Sequence, residues 1–237
     1  MTGNQLKIIA LASMTVDHIG VVLFPQVTLL RVIGRLAFPI FAYMLAEGCF
    51  YTHSKRRYLA GLVVVGVLCQ VVYFIAMGSL EQSIMTTLAL GALTVYALQE
   101  CAGRRNWLGT SLLACALALD VFACVLLPQL LPATDYRVDY GLAGVLLPAL
   151  VYLPRIVLPH ADARTLRRAM LLACGIGLVF VALTTHGAIA WVQWFGLAAL
   201  ALLACYSGRR GTWGMKYLFY AYYPLHLAAI YGISLLV

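Results

Sequence analysis

Several ionisable side chains of this sequence sit inside runs that are otherwise apolar. Asp17 and His18 interrupt one such run in TVDHIG, and Arg31, Arg35 and Glu47 lie in LLRVIGRLAFPIFAYMLAEG. Asp120 falls in a later run, and His226 closes FYAYYPLH near the end. A charged side chain at the centre of a bilayer costs about 2.5–3.5 kcal/mol on insertion scales, so such groups face one another or a wet cavity. An imidazole with an ordinary pKa of about 6.5 can accept a proton at neutral pH. A carboxylate beside a guanidinium supplies charge, or fixes two helices as an ion pair. Acid–base catalysis, proton relay and plain charge-paired packing are the three chemistries open to this set.

Spacing narrows the pairings. Asp17 and His18 are about 100° apart on a helix, so they do not face each other and do not form a dyad alone. The pairing expected is Asp17 with Arg35, which leaves His18 to take another partner. Arg31 and Arg35 are four residues apart and share a face; Tyr223 and His226 are three apart, and Tyr220 continues their stripe toward Lys216. At about 1.5 Å per residue, His226 stands roughly 15 Å beyond Lys216. Asp17, His18, Arg35 and His226 then reach similar heights on three helices. Structural roles compete: a packing ion pair for Asp17 and Arg35, and for His226 a bond to a carbonyl freed by Pro224. Asp120 and His186 connect to nothing obvious.

The elements that must position these groups are transmembrane helices. Of 237 residues 64% are hydrophobic and 10% charged, where a soluble domain carries roughly 25% charged. About 20 apolar residues span a bilayer. Nine runs qualify: 6–24, 29–50, 59–77, 84–99, 108–127, 140–158, 169–185, 188–206 and 215–237. The fourth is short, and the seventh and eighth meet at a tight turn near Thr185–Gly187, so re-entrant segments are an alternative there. The expectation is an all-α polytopic bundle, a single domain over residues 1–237. The first run is longer than a secretory signal's and carries charge, so it reads as a permanent helix.

The net charge is +8, yet the basic residues lie in short gaps between runs, a topology signal rather than a nucleic-acid surface. With nine spans, Lys7, Lys55, Arg56, Arg57, Arg104, Arg105, Arg155, Arg164, Arg167, Arg168, Arg209, Arg210 and Lys216 fall on one side, predicting a cytoplasmic N-terminus and an external C-terminus. The seven cysteines are scattered, with no CxxC pair; neither a disulfide frame nor a metal site is expected.

The segments LKIIALASMTVDHIGVVLFP and LLRVIGRLAFPIFAYMLAEG resemble the opening of the TraX family, bacterial inner-membrane proteins whose namesake acetylates the N-terminus of conjugative pilin. The likeness continues in TTLALGALTVYAL, VDYGLAGVLLP, CYSGRRG and KYLFYAYYPLHL, in order along nearly the whole chain. The resemblance implies a multi-pass acetyltransferase using acetyl-CoA as donor. Matching positions are Asp17, His18, Arg35, Glu47, Asp139, Tyr140, Lys216, Tyr220, Tyr223 and His226.

On that footing His18 is the candidate base, Arg35 the candidate oxyanion stabiliser unless Asp17 claims it, and His226 a second acid or base beside the donor Tyr223. Phosphate-bearing acetyl-CoA would enter from the basic side, near Arg56, Arg57, Arg209, Arg210, Lys216, Tyr220 and Glu47. The acceptor, a protein N-terminus, glycan or lipid, would approach past Asp139 and Tyr140. Two other readings compete. Intramembrane Asp, Glu and His also suit a proton-coupled transporter, although no internal repeat is visible. A non-enzymatic assembly protein would have no need of convergent charges at mid-depth.

Overall fold

The structure is a computed structural model that describes residues 1–104, 106–187, 190–211 and 216–236, with backbone alone at 216 and 217. Among these residues the chain is helical, and an isolated parallel bridge joins Gln82 to Val138. The helices are α1 Gly3–Val22, α2 Thr28–Gly34, α3 Ala37–Tyr51, α4 Lys55–Met77, α5 Ile84–Arg104, α6 Trp107–Val121, α7 Leu127–Leu130, α8 Gly141–Tyr152, α9 Pro154–Val157, α10 Ala163–Thr184, α11 Ala199–Ala204 and α12 Lys216–Ser234. A π turn over Phe122–Leu126 joins α6 to α7, and a 3₁₀ stretch over Ala190–Ala198 leads into α11.

Six segments among the described residues are long and apolar enough to cross a membrane: Gly3–Val22, Thr28–Tyr51, Lys55–Met77, Ile84–Arg104, Trp107–Leu130 and Ala163–Thr184. They coincide with six of the nine expected spans. Gly141–Val157 and Ala190–Ala204 are apolar but shorter, and the tyrosine-rich α12 is not among the six. About half the residues of Thr28–Tyr51 and Ile84–Arg104 are buried against few of Trp107–Leu130, so α3 and α5 form the centre. On the outside, Ile75, Leu172 and Phe180 expose apolar side chains, as expected of a membrane protein whose solvent is lipid.

Prolines break the helices where the site is built. Pro39 offers no amide to the Arg35 carbonyl, and α2 gives way to α3 at Arg35–Leu36. Pro128 likewise leaves the Cys124 carbonyl without an amide four residues on, and the chain widens there into its π turn. Two glycines let α1 approach α2. A Cβ at Gly20 would stand 2.7 Å from the Leu30 Cβ, and one at Gly34 would overlap the Asp17 carboxylate.

The turns gather at two ends of the bundle. At one end the Gly3 and Asn4 amides donate to the Arg209 and Arg210 carbonyls at 2.8 and 3.0 Å. Lys55 meets Glu100 at 3.1 Å, Arg155 pairs with Glu47, and Arg167 donates to the Tyr206 carbonyl at 2.8 Å. At the other end the loop before α5 is pinned to the loop before α8. Ser79 donates to Asp135 at 2.6 Å, Arg137 pairs with Glu81 at 2.9 Å, and the Gln82 amide donates to the Arg137 carbonyl at 2.8 Å.

Candidate active site

His18 and His226 meet inside the bundle. Nδ1 of His18 lies 3.1 Å from Nε2 of His226, and the rings are 5.0 Å apart between centroids. The remaining nitrogens fix the protons. His226 Nδ1 is 3.0 Å from the Tyr222 carbonyl, which only accepts, so this nitrogen carries hydrogen. In the neutral ring Nε2 is then the acceptor, and His18 must donate to it through Nδ1. That leaves His18 Nε2 as an acceptor, 3.4 Å from the Tyr73 hydroxyl. When both imidazoles are neutral, the chain of donors runs Tyr73 to His18 to His226 to a carbonyl.

Three helices, α1, α4 and α12, hold this pair. The parallel ring of Tyr222 stacks on His226 at 5.2 Å, and its hydroxyl shares a 2.7 Å bond with Thr15 on α1. Tyr223 presents its edge to His226 at 5.3 Å and is buried. The carbonyl used by His226 is Tyr222's, one turn back; the one that Pro224 leaves without its helical amide is Tyr220's. A small cavity of about 40 Å³ adjoins the pair, lined in part by Asp17, His18, Tyr73, Asp139, Tyr140 and Tyr223.

Asp17 turns the other way and serves two guanidiniums: Arg31 at 2.9 Å and Arg35 at 2.7 Å, the latter reaching both carboxylate oxygens. The expected Asp17–Arg35 pair is therefore present, with Arg31 as a third member. Arg35 is 7% exposed, and its Nε is buried without a partner. Its guanidinium also sits 5.7 Å from the centre of the Tyr140 ring.

Tyr140 is the one non-glycine residue among those described with a positive φ, at 60°, a backbone state unfavourable for a bulky side chain. Its ring stacks on Phe38 at 3.8 Å, and the preceding Asp139 carbonyl accepts from Thr87 at 2.6 Å. Asp139 and Tyr140 line the small cavity and also a cleft of about 970 Å³ that holds Arg31, Arg35 and His186 at its polar end. They form the partition between the two.

Burial, helped by Glu81 and opposed by Arg35, pushes the Asp139 carboxyl up to about 7. The unfolded chain gives up this proton near pH 4 and the folded chain keeps it, so the group's contribution to stability falls between about pH 4 and 7 and is level above. Asp139→Asn should remove that slope in thermal unfolding followed in detergent from about pH 5 to pH 8; an identical slope in the variant would contradict the assignment.

The other expected residues divide by location. Arg56 and Arg57 open α4, Arg209 and Arg210 lie in the loop that holds α1, and Lys216 opens α12; the Lys216 side chain lies outside the described residues. The Tyr220 hydroxyl lies close against Gly61 on α4. Glu47 is engaged by Arg155 and lies 3.4 Å from the Tyr206 hydroxyl. Asp120 is fully buried and accepts from Thr94 at 2.6 Å, tying α6 to α5. Tyr73, Tyr222 and Thr15 are site residues that spacing within one helix did not reveal. Depth would have found the first: Tyr73 is about 27 Å along α4 and His18 about 22 Å along α1, within one turn of each other.

A family model described as TraX protein matches residues 2–234. A probable fimbrial assembly protein FimC, serogroup H1, of Dichelobacter nodosus is 26% identical over 249 residues, covering 95% of this chain and 93% of that protein. The uncharacterized protein RP591 of Rickettsia prowazekii (strain Madrid E) is 35% identical over 94 residues, 39% of this chain and 36% of that one. The match thus spans about a third of the Rickettsia protein and nearly all of the Dichelobacter one. No solved structure matches the chain.

Proposed function

The chain belongs to the TraX family, and from that premise we propose that it is a multi-pass acetyltransferase of the bacterial inner membrane. It would move an acetyl group from cytosolic acetyl-CoA to an acceptor on the outer side, in pilus or fimbrial assembly or on an envelope glycan or lipid. The observation that carries this reading is the closed contact between His18 and His226, two imidazoles from opposite ends of the sequence.

The proposed topology has nine crossings, with the N-terminus in the cytoplasm. Length supports it for the three weaker segments. Gly141–Val157 rises about 25 Å and α12 about 28 Å as α-helix. Ala190–Ala204 gains reach from its 3₁₀ portion, which climbs about 2.0 Å per residue, for about 27 Å in all. The loops meeting at the α1 end are the basic ones, and the positive-inside rule then places that end in the cytoplasm.

In the proposed reaction a hydroxyl or amine of the acceptor attacks the thioester carbonyl carbon while His18 Nε2 takes its proton. His226 holds the His18 tautomer through Nδ1 and shares the charge that forms. The carbon–sulfur bond breaks, and the imidazolium returns the proton to the departing thiolate, giving CoA and the acetylated acceptor. Arg35 commits its Nη2 to both Asp17 oxygens, and Tyr223 and Tyr73 line the small cavity beside the histidines, so their hydroxyls are the proposed donors for the oxyanion. The partition at Tyr140 must shift to admit the acceptor.

Acetyl-CoA would dock at Arg56, Arg57, Arg209 and Arg210, its pantetheine arm passing between α1 and α12. The Arg209→Ala plus Arg210→Ala variant keeps the backbone bonds to Gly3 and Asn4. It should raise the KM for acetyl-CoA about tenfold, the effect of losing charge-assisted contacts to phosphate, and leave kcat unchanged. The function itself is tested by incubating purified protein and an envelope fraction with acetyl-labelled acetyl-CoA; absence of label in any envelope component would contradict it.

A further inference from the structure

The cleft beside Tyr140 combines a charged end with a long apolar wall. Leu142, Leu146 and Leu150 on one face of α8 run along it for about 12 Å, opposite Val125, Pro128 and Phe180. The π turn of Phe122–Leu126 supplies the Val125 edge, and such turns recur where a helix borders a binding site. Phe180 is 57% exposed and Val125 36%, so this side of the cleft meets the surrounding lipid.

At the charged end the cations are incompletely matched. Arg31 and Arg35 share the single carboxylate of Asp17, while Arg137 already has Glu81. Asp139 is the other acid there, and with its carboxyl pushed up to about 7 it is only partly ionised at neutral pH. Arg35, 7% exposed, lines the cleft and leaves its Nε without an acceptor. A guanidinium only donates, so a group held against Arg31 and Arg35 in the cleft would present an acceptor such as an oxygen.

We propose that the cleft binds an anionic phospholipid, its phosphate against Arg31 and Arg35 and one acyl chain along α8. A peptide with a free N-terminus fits less well, because its ammonium would meet two guanidiniums. The proposal deepens the acetyltransferase reading and rests on it in one respect, that a hydroxyl of this lipid's head is the acceptor; occupancy of the cleft does not require the reaction.

The test uses full-length protein in phosphatidylcholine vesicles and a phosphatidic acid probe carrying a photoactivatable diazirine in one acyl chain, with no acetyl-CoA present. Crosslinks should concentrate on residues 142–150 and 177–184. Dioleoyl phosphatidic acid should displace the probe about tenfold better than dioleoyl phosphatidylcholine, the margin expected of a charge-assisted contact. Leu146→Trp should fill the groove and remove the crosslinks, and the displacement series on the unaltered protein stands independently of that variant. Crosslinks spread equally over the lipid-facing Val67 and Phe74 of α4, or equal displacement by both lipids, would overturn the proposal. So would displacement by an apolar peptide with a free amino group and not by phosphatidic acid. Labelling as expected beside absent acetyl transfer would sink the enzymatic reading alone, and the converse would sink the lipid site alone.

Discussion

His18→Ala should lower acetyl transfer by about 10²–10⁴-fold, the range associated with losing a positioned acid–base group. The effect follows from the position of Nε2. Of the four imidazole nitrogens in the pair, three are tied to one another or to the Tyr222 carbonyl, and this one faces Tyr73 beside the small cavity. The loss should fall on kcat, with the KM for acetyl-CoA little changed, because the proposed docking site is at the basic end of the bundle. His226→Ala should cost less, since His18 keeps its Nε2 and loses the partner that fixes its tautomer; the pH–rate profile should shift as well. Tyr73→Phe should leave the histidine contact intact while removing one donor. Labelled acetyl transfer by purified variants checks all three, and full activity in His18→Ala would remove the base from the scheme.

Asp17→Ala should destabilise the folded protein by about 3–5 kcal/mol, the cost of breaking a buried ion pair from one side. Here the effect is aggravated because one carboxylate serves two guanidiniums, at 2.9 and 2.7 Å. Removing it strands Arg31 and Arg35 in a poorly solvated site, with no other carboxylate among the described residues bonded to either. Gly34→Ala should reproduce much of this loss without removing any charged group, since its added methyl would occupy the space of the Asp17 carboxylate. A thermal unfolding midpoint in detergent reads both variants. Asp17→Asn keeps the shape and loses the charge, so it separates electrostatics from packing. An Asp17→Asn protein as stable as the unaltered one would show that the carboxylate serves no pairing purpose.

Much of this arrangement was legible in the residues. Apolar runs of spanning length located the helices, and the cost of charge in lipid singled out Asp17, His18, Arg35 and His226. The angle between neighbouring residues on a helix correctly separated Asp17 from His18, sending one to the arginines and the other to a second helix. Several features were out of reach. Tyr73 and the Thr15–Tyr222 bond depend on how α1, α4 and α12 lie against one another, which periodicity within one helix does not encode. The placing of Asp139 and Tyr140 comes from a loop pinned to residues 79–82 by Asp135, Arg137 and Val138, a long-range register without a local signal. The break at Arg35–Leu36 and the π turn trace to Pro39 and Pro128. Both prolines stand in the sequence, but a proline does not announce whether the chain will bend, break or widen.

The central claim, acetyl transfer at a buried histidine pair fed from the basic end of the bundle, is tested most directly in sealed vesicles holding the protein in one orientation. Acetyl-labelled acetyl-CoA is supplied only to the face carrying the 205–211 loop, with the acceptor envelope fraction only on the other. CoA should be released on the first side and labelled acceptor should accumulate on the second, both dependent on His18. Label reaching the acceptor equally well in His18→Ala vesicles, or only when acetyl-CoA is given to the opposite face, would contradict it.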